Sequence, residues 1–173
     1  MQASIVRVDG TPENNSSVPS DHNTESNDAT KPINAATVKS GTVIDTGAEW
    51  NYWTSTNEPA SDWATTGSLA SWNRGTGPIG WGDDGAATAL DIAKKDRAVT
   101  YYFARDIDLG TISPNTSLTV KVRADDGVVL RVNGKVVDTK RMTNGNITHT
   151  TYANAAVSAA KASSDPLEVT IPA

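Results

Sequence analysis

The chain has 173 residues, a net charge of −5 and a pI near 4.9, so it lacks the basic excess that nucleic acid or an anionic membrane surface rewards. It has no cysteine, which excludes disulfides, thiolate nucleophiles and cysteine-based zinc sites. No run of about 18 apolar residues occurs, so no membrane-inserted helix is expected.

Residues 1–10 contain a short strand-like run, "SIVRV", and read as the end of a preceding segment. The opening lacks a basic start followed by a long apolar run, so it is not a signal peptide. The chain is then either cytosolic or an internal piece of a longer exported protein. Residues 11–40 are dominated by Ser, Thr, Asn, Asp and Pro. Such a stretch buries too little apolar surface to offset its ordering entropy, and a disordered linker is expected there. From residue 41 the text changes to short apolar or alternating runs separated by Gly, Pro, Asn and Asp, which is the pattern of an all-β domain spanning 41–173.

"TVIDTG" and "EWNYWTS" open that domain, and a long irregular stretch follows over 56–80. "AVTYYFARDIDLG" at 98–110 alternates, with Val99, Tyr101 and Phe103 on one face and Thr100 and Tyr102 on the other. In "SLTVKVRA", Leu118, Val120 and Val122 point inward while Thr119, Lys121 and Arg123 point out. "ADDGVVLRVNGKVVD" makes a strand, turns at Asn133-Gly134 and makes a second strand. A type I′ turn needs positive φ at both central residues, which Asn and Gly tolerate best. The two-residue loop pairs Val132 with Lys135, Arg131 with Val136 and Leu130 with Val137. "NAAVSAAKASS" at 154–164 is the one helix-tolerant stretch, and "DPLEVTIPA" reads as a last strand with Leu167, Val169 and Ile171 alternating inward.

Taken together, "EWNYW", "DWATTGSLASWNRGTGPIGWGDDGAAT", "AVTYYFARDIDL" and "VRADDGVVLRVNGKVVDTKRM" resemble the galactose-binding-like β-sandwich domains of secreted bacterial multidomain proteins. The resemblance covers roughly 41–173. Here Met142-Thr143-Asn144-Gly145 stands where those domains carry a Met-Pro-x-Gly-like loop, without the proline. The resemblance implies a jelly-roll β-sandwich and a carbohydrate-binding module without catalysis of its own, extracellular or at the cell surface within a longer exported chain. It equally admits a spacer domain of a surface adhesin, or an accessory domain of a secreted hydrolase such as a metallophosphoesterase. In those domains a further strand follows the one at 165–173, so the sandwich is expected to lack its last strand or strands. Partners would be a glycan and the other domains of the same polypeptide.

Chemistry-bearing residues are few. One histidine outside the linker, His149, and no cysteine leave none of the usual nucleophilic triads, and no enzyme is expected. All five tryptophans lie between Trp50 and Trp81. Sugar rings stack their C–H faces on aromatic planes, so Trp53, Trp63, Trp72 and Trp81 are candidates for a binding platform. The same rings would equally pin the aliphatic-poor 56–80 stretch onto the sandwich. Asp125 and Asp126 are ligand candidates whose other reading is turn chemistry. Asp83 and Asp84, on a glycine-bounded loop, are the candidates for a structural calcium ion, which takes six to eight hard oxygen ligands. No other cofactor is expected.

Overall fold

The computed structural model describes residues 42–81, 85–109 and 116–172, and the backbone of 2–5. Among the described residues ten strands carry the fold: β1 (Gln2–Ile5), β2 (Glu49–Trp53), β3 (Asn73–Thr76), β4 (Ile79–Gly80), β5 (Thr88–Ala89), β6 (Thr100–Ala104), β7 (Ser117–Val122), β8 (Gly127–Val132), β9 (Lys135–Lys140) and β10 (Leu167–Pro172). One short helix, α1 (Ala159–Ser164), lies inside the helix-tolerant stretch and is capped by Ser158, whose hydroxyl accepts from the Lys161 N–H. The class is all-β, as the turn-punctuated sequence implies. The linker expected at 11–40 lies outside the described residues.

Six strands form one sheet in the order β3-β2-β6-β1-β8-β9, and β7 and β10 form an antiparallel pair. The opening strand is hydrogen-bonded in parallel to both β6 and β8, in the middle of the sheet. It therefore belongs to the same sheet as the later strands. β3 arises inside the stretch read as irregular: Asn-Arg-Gly-Thr has no apolar alternation, and this edge strand is held by backbone pairing to β2. "TVIDTG" makes turns, and Ile44 packs against the core.

The two strand layers share an apolar core. Tyr101, Phe103, Val128 and Leu130 from the large sheet meet Val122 and Leu167, with Leu118, Val120 and Val169 packed around them. The alternation in β7 and β10 matches the sequence, with their outward Lys121 and Glu168 3.1 Å apart. β6 is buried on both faces, because Tyr102 and Ala104 belong to a second cluster with Trp63, Ala64 and Trp72. The 56–72 segment thus covers the outer face of that part of the sheet.

The Asn133-Gly134 turn has the expected positive φ at both residues, 48° and 78°. Arg131 pairs with Val136 and Val132 with Lys135 as expected, but Leu130 pairs with Asp138 rather than Val137. A bulge takes up Val137, which still packs on the core. Beyond it the alternation of β9 shifts by one residue. Lys140 now faces Val128 on the core side, where its Nζ donates to the Asp165 carboxylate and, at 2.8 Å, to the Pro166 carbonyl.

Candidate functional site

The tryptophans divide between the two faces of the sheet, following the opposed directions of Tyr101 and Tyr102. Trp63 meets Tyr102 edge-on at 5.3 Å, Trp72 lies 5.7 Å from Trp63, and Trp53 lies 6.0 Å from Trp72. Trp63 and Trp72 are buried, and Trp53 packs against them while donating from Nε1 to the Asn57 carbonyl at 2.8 Å. Trp81 stands on the opposite face, edge-on to Tyr101 at 4.9 Å, with the Arg97 guanidinium 4.4 Å over its ring. These four rings do not share one exposed surface. Trp53 and Trp81 are half-buried. The aromatic ring most open to solvent among the described residues is Tyr152, 74% exposed. Sequence reasoning passed over it because "THTTYANA" has no apolar alternation to place it.

Asp126 serves as a fastening. Its Oδ1 accepts the Val157 N–H at 2.9 Å, tying the start of β8 to the segment before α1. Burial pulls this carboxyl upward, but hydrogen bonds to its charged form, that from Val157 foremost, outweigh burial and hold it below its ordinary value. Asp125 beside it is exposed. The residue that organises this corner is Arg141, whose side chain is only 10% exposed. Its guanidinium donates to the carbonyls of Ala124 and Asp126, each at 2.6 Å, and to that of Asp165 at 3.4 Å. Gly127 allows the chain to pass here, since a Cβ would lie 2.6 Å from Met142 Sδ and 2.9 Å from the Ala153 Cβ. Nothing in the spacing of "TKRM" marks Arg141 for this role; it emerges only when 124–126 and 165 are brought together.

Asp83 and Asp84 lie outside the described residues. Among the described residues no three His, Asp or Glu side chains group as a metal site. His149 is half-buried, its Nδ1 3.5 Å from Glu58 Oε2.

A groove of about 460 Å³ opens on the outer face of β8 and β9. Val129 and Arg131 of β8 and Val136 and Thr139 of β9 form its floor, and the loop Thr143–Ile147 forms its wall. The strand residues alternate outward, so they stand opposite the core residues Val128 and Leu130. The wall is held at both ends. Asn154 donates to the Met142 carbonyl at 3.0 Å and, through its N–H, to that of Arg141 at 2.9 Å. The Thr100 hydroxyl donates to the His149 carbonyl at 2.7 Å. Between these staples Thr143, Asn144 and Asn146 are exposed, offering hydroxyl and amide groups above an apolar floor. Among the described residues the lining contains no carboxylate and no imidazole. Its one charge, on Arg131, donates to the Gly134 carbonyl at 3.2 Å. No protein-family model, characterised protein or solved structure matches the chain.

Proposed function

We propose that the chain is a non-catalytic binding module of an exported multidomain protein, and that it takes a neutral carbohydrate in the β8–β9 groove. The observation that carries this reading is the lining of that groove. Thr139, Thr143, Asn144 and Asn146 offer donors and acceptors matched to sugar hydroxyls, while Val136 of the floor and Ile147 of the wall supply apolar surface for a C–H face. Its volume falls in the range of about 300–1,000 Å³ usual for small-ligand sites. A carboxylate pair or a nucleophile beside a base would be needed for hydrolysis, and the lining offers neither. Support for a β-sandwich comes from the two strand layers around one apolar core, while the parallel pairing of β1 on both sides departs from an antiparallel jelly roll.

A glycan array probed with the chain, followed by calorimetric titration of the best sugar, tests this. Binding should be lost in an Asn144→Ala, Asn146→Ala double variant of unchanged melting temperature. A chain that retains no glycan, or a double variant that binds as the parent does, would sink the proposal. Binding lost on Tyr152→Ala alone would move the site off the groove.

A further inference from the structure

The middle of the six-stranded sheet is closed by a strand remote in sequence from its neighbours. Gln2, Ala3 and Ser4 pair with Thr100, Tyr101 and Tyr102 on one side, and Gln2 to Ile5 pair with Gly127 to Leu130 on the other. Both flanking strands are deeply buried there: Tyr101, Val128 and Leu130 have no exposure at all. If β1 left, the facing N–H and C=O groups of β6 and β8 would lose their partners in the sheet interior, so the slot demands an extended strand. Yet β1 is only four residues long and is paired in parallel on both sides, the slightly weaker geometry per residue. Ile44 is already packed on the core, so the connection from β1 to the segment beginning at residue 42 runs through residues 6–41. At ~3.3 Å per residue that length, fully extended, would reach on the order of 120 Å. A folded domain of this size has a radius of gyration of only about 14 Å. The covalent link therefore does not oblige the strand to fill its own chain's slot, and a second copy carries the identical strand.

We infer that the β6–β8 slot exchanges its strand between copies, with residues 2–5 of a second copy taking the place of β1 and each chain closing the other's sheet. Every backbone pairing in the slot is conserved in such an exchange. Only the connection differs, so the balance between closed monomer and exchanged dimer is set by protein concentration against the local concentration of the tethered strand.

Because the chain has no cysteine, single labelling sites are clean. A Gln2→Cys chain carrying a donor dye and an Asp125→Cys chain carrying an acceptor are unfolded together and refolded at high concentration. Asp125 is exposed and lies two residues before Gly127, the register partner of Gln2. The expected result is a dimer with strong energy transfer. Transfer should fall to the donor-alone level when Ala3→Pro is added to the donor chain, since proline removes a ladder donor. An excess of a synthetic peptide of residues 1–10 should dissociate the dimer. Should the Ala3→Pro chain lose its fold when refolded alone, restoration of its circular dichroism by that peptide supports the slot, and failure of the peptide to bind it counts against. Monomers without transfer at every concentration overturn the inference. So does a dimer without transfer, or transfer that survives Ala3→Pro.

Discussion

Replacing Arg141 by glycine sets two opposed effects against each other at one position. The backbone there has φ +56°, a left-handed conformation that glycine adopts freely and arginine does not. Relief of that conformation is worth about 1–2 kcal/mol. Against it stands the loss of the guanidinium, which holds the Ala124 and Asp126 carbonyls at 2.6 Å. A hydrogen bond to a charged group contributes about 1.5–3 kcal/mol, so the two together are worth roughly 3–6 kcal/mol. The net expectation is a loss of about 1–5 kcal/mol. At roughly 3–4 °C per kcal/mol for a domain of this size, the melting temperature should fall by about 3–20 °C. Arg141→Lys should fall less than Arg141→Ala, because an ammonium can still reach one of the two carbonyls but cannot bridge both with a planar fork. Thermal unfolding followed by circular dichroism, with urea titration as a second measure, reads the difference. An Arg141→Gly variant as stable as the parent or more so would refute the argument, showing that the ties to 124 and 126 contribute less than the backbone costs.

Three further outcomes are expected. Gly134→Val should lose about 1–3 kcal/mol from positive φ alone, and more from contact, since a Cβ there would lie 2.5 Å from Thr65 Cγ2; an unchanged urea midpoint would count against both. Trp63→Ala should destabilise by about 3–5 kcal/mol, as a large buried ring does; a variant of parental melting temperature would show that the ring is not core. The Tyr102 phenol is pushed up to about 12, first by burial and then by the Glu58 charge, with Arg131 opposing. The folded state therefore keeps this proton above pH 10, the ordinary value, where the unfolded chain releases it. Stability tied to this group is intact below pH 10 and declines as the pH rises toward about 12. Tyr102→Phe should flatten that alkaline limb in a series of melts between these values, and an identical slope in both proteins would remove Tyr102 as its cause.

The parts of the fold legible in the sequence are those fixed by short-range chemistry. The Asn133-Gly134 turn follows from two adjacent residues, and the alternation of Leu118, Val120 and Val122 from a period of two. The bulge at Val137 was hidden, because what it serves, the reach of Lys140 to Asp165 and Pro166, depends on a segment 25 residues away. β3 was hidden for a related reason, as its stability comes from backbone pairing with Glu49–Tyr52 rather than from its own side chains. Among the candidate residues, the clustering of tryptophan was visible, but its division between two faces was not. That division depends on which face of β6 the 56–72 segment covers. The loop at Met142–Gly145 was visible as a motif, but the groove was not, since Thr139 and the loop Thr143–Ile147 become one surface only in the folded sheet.

The position of β1 also orders events in time during synthesis. Its residues leave the ribosome well before its partners, which begin at Thr100 and Gly127. At about 5–20 residues per second the nearer partner arrives roughly 5–20 s later. Throughout that interval the strand has nothing to pair with, and the Trp53, Trp63 and Trp72 cluster has no Tyr102 to rest on. The sheet can close only after β8 has emerged, so a strand made early is among the last to find its place. Until then a nascent chain of this kind displays an unpaired strand and a set of uncovered indoles, which are surfaces that a chaperone binds and that neighbouring nascent copies on the same message can reach.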